Sequence, residues 1–425
     1  MNRDRLPDDI PSDVAATIER VARDSYRRLV AFLAARSRDV AGAEDALADA
    51  FQSALESWPR TGLPGKPEAW LLVAARHRLI DTARHGKVHA NNVPLILAAA
   101  DEAQDVADHE TAFPDERLKL MFVCAHPAID AAARTPLMLQ CVLGLDAARI
   151  ASAFLVKPAT MGQRLARAKS KIRDAGIAFD VPAAKELPQR LDAVLDAIYA
   201  VYGAGWEDVT GADARLKGLA SEAIDLGRLL LQLLPADPEA RGLLALMLYC
   251  EARHLARRDA HGGYVPLSEQ DPARWSWPLI AEANRLLVEA HAARQIGHFQ
   301  LEAAIQSVHI RRGITGVTDW EEIALLYEGL VRIAPTSGAR VGHAAAIANA
   351  RGPVAALALL ETMSEAPYDS YQPYWALLSH LYRQLGRVAD ARDAYARAIG
   401  LCENASMRTF LSQQAASLGT FSRKP

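Results

Sequence analysis

Five polar side chains near the middle of the chain recur at the spacing of one helix face. They are Thr160, Gln163, Arg164, Arg167 and Lys171. Glutamine and arginine can make paired hydrogen bonds to base edges in the major groove of DNA, whereas lysine mostly meets phosphate. Between Lys157 and Arg173 there are six lysines and arginines and no acid, although the whole chain has a net charge of −3. The positive charge is therefore local, and it favours binding to nucleic acid.

Such a face needs a helix whose other side packs against a support. Met161, Leu165, Ala168 and Ile172 supply that side at the 3.6-residue period, and Pro158 fits the first helical position. A shorter helix precedes it, with Asp146 as N-cap and Ile150, Ala151 and Phe154 facing inward. Two such helices and a tight turn predict a helix-turn-helix, whose second helix enters the major groove. An ordinary helical hairpin with a basic, solvated face is the alternative.

A second candidate surface, nearer the N-terminus, is acidic. The residues before Ser25 are interpreted as a polar arm, and Gly42 as a break that follows the helix Ser25 to Arg36. The next helix is predicted over Ala43 to Trp58, and its polar side carries Glu44, Asp45, Asp49 and Gln52. Acids in the first turns of a helix also suit its dipole without any partner.

The following predicted helix, Glu68 to Arg84, is basic, and a turn-rich loop precedes it. The basic side chains of interest in the loop and helix are Lys66, Arg76, His77 and Arg84. Positive charge of this kind can track the backbone of a single nucleic-acid strand. Trp58 and Trp70 could stack on a base, but tryptophan at helical spacing more often fills a core.

Composition favours an all-α protein with several domains. At 425 residues the chain is too long for one ordinary core, and about two to four domains are expected. It is 51% hydrophobic and only 6% aromatic, and alanine and leucine dominate over β-branched residues. These are helix-forming residues, so helices are predicted throughout.

Several classes of protein are disfavoured. Cys124, Cys141, Cys250 and Cys402 are far apart, which predicts reduced, mostly buried thiols and a cytoplasmic location. There is no apolar signal segment, and no uncharged apolar run approaches the roughly 18 residues of a membrane span. Cys124 with His126 is too few ligands for zinc. No H-E-x-x-H, phosphate-binding glycine loop or nucleophile elbow is present, so we expect no enzyme activity, metal or cofactor.

The C-terminal half contains a degenerate repeat. Aligning Gly352 with Gly386 gives an offset of 34 residues, and the second copy has tetratricopeptide-like spacing. Helix pairs of this length stack into an array with a concave surface for a protein or peptide partner. A separate cluster lies between Leu267 and Ala283 and contains Gln270, Asp271, Arg274, Trp275 and Trp277. It either lines a ligand pocket or marks a helix start with tryptophans in the core.

Three motifs in order resemble the sigma factors of bacterial RNA polymerase, specifically the extracytoplasmic-function class. A-E-D-A-L-A-D-A-F, from Ala43, resembles region 2.2. P-E-A-W-L-L-V-A-A-R-H-R-L-I-D-T-A-R, from Pro67, is similar to regions 2.3 and 2.4, with His77 where asparagine is usual. R-L-A-R-A-K, from Arg164, resembles the end of the region 4 recognition helix. With the repeats, the chain resembles the subgroup that has a tetratricopeptide-like C-terminal extension.

The resemblance implies five segments. They are region 2 over 10–90, a flexible linker over 91–112, region 4 over 113–178, a helical extension over 187–290 and tetratricopeptide-like repeats over 291–418.

It also implies a role for each surface. The minus-thirty-five promoter element would be bound by Lys157, Thr160, Gln163, Arg164, Arg167 and Lys171. The minus-ten element would be bound by Lys66, Arg76, His77 and Arg84, with Lys66 beside a flipped-out base. Core RNA polymerase would be bound by Glu44, Asp45, Asp49 and Gln52.

The function implied is promoter recognition and the start of transcription, under control of the C-terminal domain. The alternative is a helix-turn-helix regulator that binds promoter DNA without polymerase and senses a ligand or peptide through its repeats. The acidic helix and the basic helix after it favour the sigma factor, because only that interpretation uses both.

Overall fold

The computed structural model describes residues 12–85, 115–154, 156–183, 185–206, 218–363 and 368–418. These residues form nineteen α-helices and four short 3-10 segments, and no strand beyond one isolated bridge between Arg258 and Tyr264. The all-α prediction is therefore confirmed. The chain divides into two compact units, Met1–Val201 and Tyr202–Pro425. The predicted linker 91–112 lies outside the described residues.

The described residues of the first unit form nine helices, the last of which continues past the boundary at Val201. They are α1 (Ser12–Asp24), α2 (Tyr26–Ser37), α3 (Val40–Thr61), α4 (Pro67–His85), α5 (Arg117–Cys124), α6 (Ala131–Cys141), α7 (Ala147–Ala153), α8 (Pro158–Asp174) and α9 (Leu187–Trp206). Helices α1 to α4 pack together as a bundle, and α5 to α8 pack as a second group. The two groups also touch, since α5 and α6 contact α2, and α8 contacts α3.

Two expectations for the N-terminal bundle were wrong. The supposed polar arm is helix α1, whose Val14, Ile18 and Val21 are buried at a helical spacing of four and three residues. Gly42 does not break the chain but lies in the first turn of α3. The carboxylate of Asp39 accepts a hydrogen bond from the Gly42 N–H at 3.1 Å, so the helix begins at Val40.

The predicted helical pair is present as α7 and α8. Pro158 occupies the first turn of α8, and the inward face consists of Met161, Leu165, Ala168 and Ile172, as the periodicity predicted. Asp146 accepts a hydrogen bond from the Arg149 N–H at 2.9 Å, and Ile150 and Ala151 are buried. The prediction for Phe154 was wrong. It follows the last residue of α7, where the chain turns away, and is 39% exposed.

The second unit is a succession of helices, each of which packs against the next. Its helices are α10 (Leu219–Leu233), α11 (Pro238–Glu251), α12 (Trp277–Ala292), α13 (His298–Thr315), α14 (Trp320–Ile333), α15 (Ser337–Arg351), α16 (Pro353–Glu361), α17 (Gln372–Gln384), α18 (Val388–Gly400) and α19 (Ala405–Ser417). Gly352 and Gly386, the two residues aligned in the repeat, have φ of 93° and 72° and connect α15 to α16 and α17 to α18. Glycine adopts such angles without the steric penalty of a side chain. It remains a prediction that the helices joined by these glycines belong to tetratricopeptide-like repeats.

Candidate nucleic-acid interface

The polar face of α8 is open to solvent. Lys157, Thr160, Gln163, Arg167 and Lys171 are exposed and Arg164 is half-buried. Lys157 is the N-cap, with extended backbone and no side-chain cap. The other five line a groove of about 470 Å³ together with Asp130 and small apolar residues at the start of α6. The structure thus brings five of the six residues predicted for the minus-thirty-five element to one concave surface.

Arg164 differs from its neighbours because it already has a partner. Its guanidinium donates a hydrogen bond to the carbonyl of Ala132 at 3.3 Å, next to the first turn of α6. That bond holds the side chain along one wall of the groove. Arg167, one helical turn further on, is exposed and can reach outward.

The acidic face of α3 is split between solvent and the second helical group. Asp45, Asp49 and Gln52 are exposed, whereas Glu44 is half-buried against α8. The Lys169 ammonium donates a hydrogen bond to the Glu44 carboxylate at 2.6 Å, and the two side chains are only 11% and 25% exposed. One of the four residues predicted to bind polymerase is therefore engaged within the chain.

The surroundings of Lys169 favour its charged form. Burial alone would lower its pKa, but the interactions with Cys141 and Glu44 outweigh burial and raise the pKa on balance. Cys124, which lies beside the same group, is completely buried, and burial raises its pKa well above the usual value. Its thiol is therefore protonated and acts as a small apolar filler rather than as a nucleophile.

Three further ion pairs join the two helical groups of the first unit. Asp39 lies 4.0 Å from Arg173, Arg28 lies 3.9 Å from Asp115, and Arg36 lies 3.9 Å from Glu116. Burial raises the pKa of Asp115, but hydrogen bonds from Arg117 and the charge of Arg28 lower it overall. These carboxylates are 9% to 20% exposed, so the contacts are better shielded from water than ordinary surface pairs.

The remaining acidic residues of α3 have weaker contacts. Asp49 lies 3.8 Å from Arg78 of α4, with both side chains more than half exposed. Gln52 donates a hydrogen bond to Glu56 on its own helix at 3.2 Å. Exposed pairs of this kind contribute little to stability, so these side chains can exchange their partners at small cost.

The basic residues around α4 are only partly brought together. Lys66 and His77 are exposed, and Arg76 is half-buried. Adjacent positions on a helix point about 100° apart, and of these two neighbours His77 is the more exposed. Arg84 lies on α4, and its side chain falls outside the described residues.

The tryptophans favour the core interpretation. Trp58 is 1% exposed, and its ring meets that of Trp70 edge-on, with centroids 5.4 Å apart. Trp58 therefore cannot stack on a base without unpacking the bundle.

Sequence reasoning missed most of the residues that join the two groups, including Asp39, Lys169 and Arg173. Asp39 had a local signal, since aspartate is a favoured N-cap residue. Lys169 and Arg173 appeared only as members of the basic stretch, and nothing local distinguished them from the groove residues.

Within the part of the chain that the structure describes, no set of three or more histidine, cysteine or acidic side chains is placed to hold a metal ion. The helices described also include none that is both long enough and apolar enough to cross a membrane.

Comparison with known proteins relates two segments of the chain to known families. Residues 21–87, which run from the last turn of α1 through α4, match sigma-70 region 2. The N-terminal part of the chain is thus similar to region 2 of the sigma-70 family, which acts in the initiation of transcription. Residues 190–291 match a family of unknown function, DUF6596.

A relative covers nearly the whole chain. It is an uncharacterized protein of Rhizobium meliloti (strain 1021), 40% identical over 376 residues, which are 88% of this chain and 89% of that protein. The chain therefore belongs to the same family as the rhizobial protein, and its region 2 supports membership of the sigma-70 family. No solved structure matches the chain.

Proposed function

We propose that the protein is a sigma factor of the extracytoplasmic-function class. It binds core RNA polymerase through the exposed acids of α3, recognises the minus-ten element through α4 and the loop before it, and recognises the minus-thirty-five element through α8. It acts in the cytoplasm without a cofactor, and the C-terminal helical domain, with a protein or peptide partner, controls its activity.

The observation that carries this proposal is the groove along α8. A sigma-70 region 2 alone would leave minus-thirty-five recognition unexplained. The exposed side chains that α8 contributes to the groove are threonine, glutamine, arginine and lysine, which can hydrogen-bond to bases and phosphates. An ordinary helical hairpin has no need of such a concave, basic surface. The region 2 match at 21–87 favours a sigma factor over a regulator that acts without polymerase.

The packing within the first unit has a consequence for this function. The two promoter elements are centred roughly 25 base pairs apart, or about 85 Å along B-DNA at ~3.4 Å per base pair. Here α8 is hydrogen-bonded directly to α3 through Lys169 and Glu44. One protein cannot reach both elements with its two DNA-binding groups held side by side. We infer that this arrangement is a closed form and that the groups separate when the protein joins polymerase and promoter.

Run-off transcription with purified full-length protein and core RNA polymerase tests the proposal. The wild type should direct initiation from a promoter selected by sequencing the bound DNA. Asp45→Lys with Asp49→Lys should abolish association with core enzyme, because both side chains are exposed on α3. Asp13→Lys with Glu19→Lys, a matched reversal on the exposed side of α1, is the control and should retain activity. Association of the folded α3 variant at the wild-type level would contradict the proposed polymerase surface.

A further inference from the structure

The groove along α8 has an acidic side chain in its lining. Among the described residues that line it, Asp130 is the one acid, and it shares the groove with the basic side chains Arg164, Arg167 and Lys171. Asp130 is exposed to solvent. The surface that we assign to DNA therefore contains a negative charge, and this charge opposes the binding of phosphate.

The start of α6 fixes the position of Asp130. It is the N-cap of this helix, and its carboxylate accepts a hydrogen bond from the Ala132 N–H at 3.0 Å. The preceding residue, Ile129, is buried and anchors the chain at this point. Arg164 donates a hydrogen bond to the carbonyl of the same Ala132, which joins α8 to the first turn of α6. The carboxylate cannot leave the groove without breaking its cap.

The cap does not require the negative charge of Asp130. Asparagine and serine cap helices as well as aspartate does, because the cap needs only a side-chain oxygen. Within the described part of the chain, no lysine or arginine forms an ion pair with Asp130. Arg134, one turn along α6, donates instead to the backbone carbonyls of Ile129 and Pro127. The helix dipole favours the charge modestly, as it does at every acidic N-cap.

A carboxylate in such a groove distinguishes base edges from phosphates. In the major groove, cytosine and adenine present amino groups that can donate a hydrogen bond to a carboxylate. A phosphate has only acceptor oxygens and a negative charge, so a carboxylate repels it at any sequence. Base edges carry sequence-specific binding, whereas nonspecific binding rests on phosphate contacts. The charge of Asp130 therefore penalises nonspecific binding more than specific binding.

We propose that Asp130 is a specificity determinant of this interface, because its carboxylate admits the amino edge of a base to the groove and excludes the DNA backbone. Its role is opposite to that of Arg164, Arg167 and Lys171, which supply the attraction. Specificity is a difference between two affinities, so repulsion of the wrong ligand raises it even where the total affinity falls. The inference rests on the proposed binding of DNA by α8.

Asp130→Asn and Asp130→Ser test this role, because both keep a capping side chain and remove the charge. Fluorescence anisotropy with the full-length protein measures affinity for the promoter duplex and for a scrambled duplex between about 50 and 200 mM salt. Both variants should bind the scrambled duplex about three- to tenfold more tightly than the wild type at the lowest salt. Their binding should also depend more steeply on salt, by about one unit of slope. Affinity for the promoter should rise less, so the ratio of the two affinities should fall.

Asp319→Asn is the matched control. Asp319 is an exposed N-cap of α14 in the second unit, where it accepts a hydrogen bond from the Glu322 N–H at 3.0 Å, and it does not line the groove. This variant removes the same charge from the same kind of cap. It should bind both duplexes as the wild type does.

Arg167→Ala in the same assay separates the failure of this inference from that of the proposed interface. If Arg167→Ala loses promoter binding but the two Asp130 variants, folded by circular dichroism, keep the wild-type affinity ratio, Asp130 does not determine specificity. If the wild type binds neither duplex, the proposed DNA interface is wrong, and the role of Asp130 is wrong with it.

Discussion

Two arginines on neighbouring turns of α8 are expected to contribute differently to DNA binding. Arg167→Ala should weaken binding to the cognate promoter by about 1 to 3 kcal/mol and relax specificity at one base pair, because the side chain is free to make a bidentate base contact. Arg164→Ala should cost at least as much, since it also removes the bond to the Ala132 carbonyl that shapes the groove.

Fluorescence anisotropy with cognate and scrambled duplexes measures both effects. Lys171→Ala should weaken both duplexes alike and reduce the salt dependence of binding, as expected for a phosphate contact. Arg20→Ala, an exposed arginine on α1, is the control. Unchanged affinity in both α8 variants would place the DNA-reading face elsewhere.

His309 makes the stability of the second unit dependent on pH. Burial, together with the charges of Arg253 and Arg312, lowers its pKa to about 4. Its ring centroid lies 5.4 Å from that of Trp320. In the unfolded chain the same histidine titrates near its ordinary value of about 6.5. Protons therefore bind more readily to the unfolded state between these values, and stability is full above about pH 6.5 and is lost as pH falls towards 4.

The expected loss attributable to His309 at a pH of about 4.5 is on the order of 2 kcal/mol. Urea unfolding of wild type and His309→Leu at that pH and near pH ~7.5 measures it. The variant should lose less stability between the two conditions than the wild type. Equal losses in both proteins would mean that other groups cause the acid sensitivity.

At the scale of the elements, the contact between α3 and α8 is expected to hold the closed form. Lys169→Glu places two carboxylates against each other where a hydrogen-bonded ion pair stood, at a cost of about 1 to 3 kcal/mol. The two helical groups should then separate. Glu44→Lys combined with Lys169→Glu reverses the pair and should restore the contact.

Energy transfer between dyes attached to α1 and to α7 reports the separation directly, without DNA or polymerase. The single variant should show a longer distance than the wild type, and the double variant should return to the wild-type value. If Lys169→Glu stays as closed as the wild type, the ion pair does not control the arrangement.

At the scale of the whole molecule, helix α9 determines where an N-terminal fragment should end if it is to fold. Leu191, Val194 and Leu195 of this helix are buried, and they belong to the first unit. Burial lowers the pKa of His126, and Arg190 of α9 lowers it further, so α9 lies beside the second helical group of that unit. A fragment that ends near residue 180 would lose this cover, whereas one that ends at Trp206 keeps it.

We expect residues 1–206 to fold and to support transcription at a level severalfold below that of the full chain, because the C-terminal domain is proposed to control activity. Run-off transcription at equal protein concentration measures the difference. Full-length protein with a protease site inserted between residues 207 and 217, assayed before and after cleavage, is the matched control. Equal activity of fragment, cleaved and intact protein would show that the C-terminal domain serves another purpose.

Local pattern was sufficient to predict much of this protein. The inward face of α8 and the cap at Asp146 both follow from rules that act within a few residues. The periodicity also predicted which side chains of α8 would face solvent, because one face of an amphipathic helix must be buried. Helix α1 was missed although the same rule applied to Val14, Ile18 and Val21.

Only the tertiary structure determined which partners the charged side chains have. Glu44 and Lys169 are 125 residues apart, and Arg258 and Ser406 are 148 residues apart, so no local period relates them. The pattern could assign Glu44 and Asp45 to the same polar stretch but could not distinguish them, because their difference depends on another helix packing over one of them. The interaction energy of a charged side chain depends on its partner and on its burial. Both are determined only when elements distant in the sequence pack together.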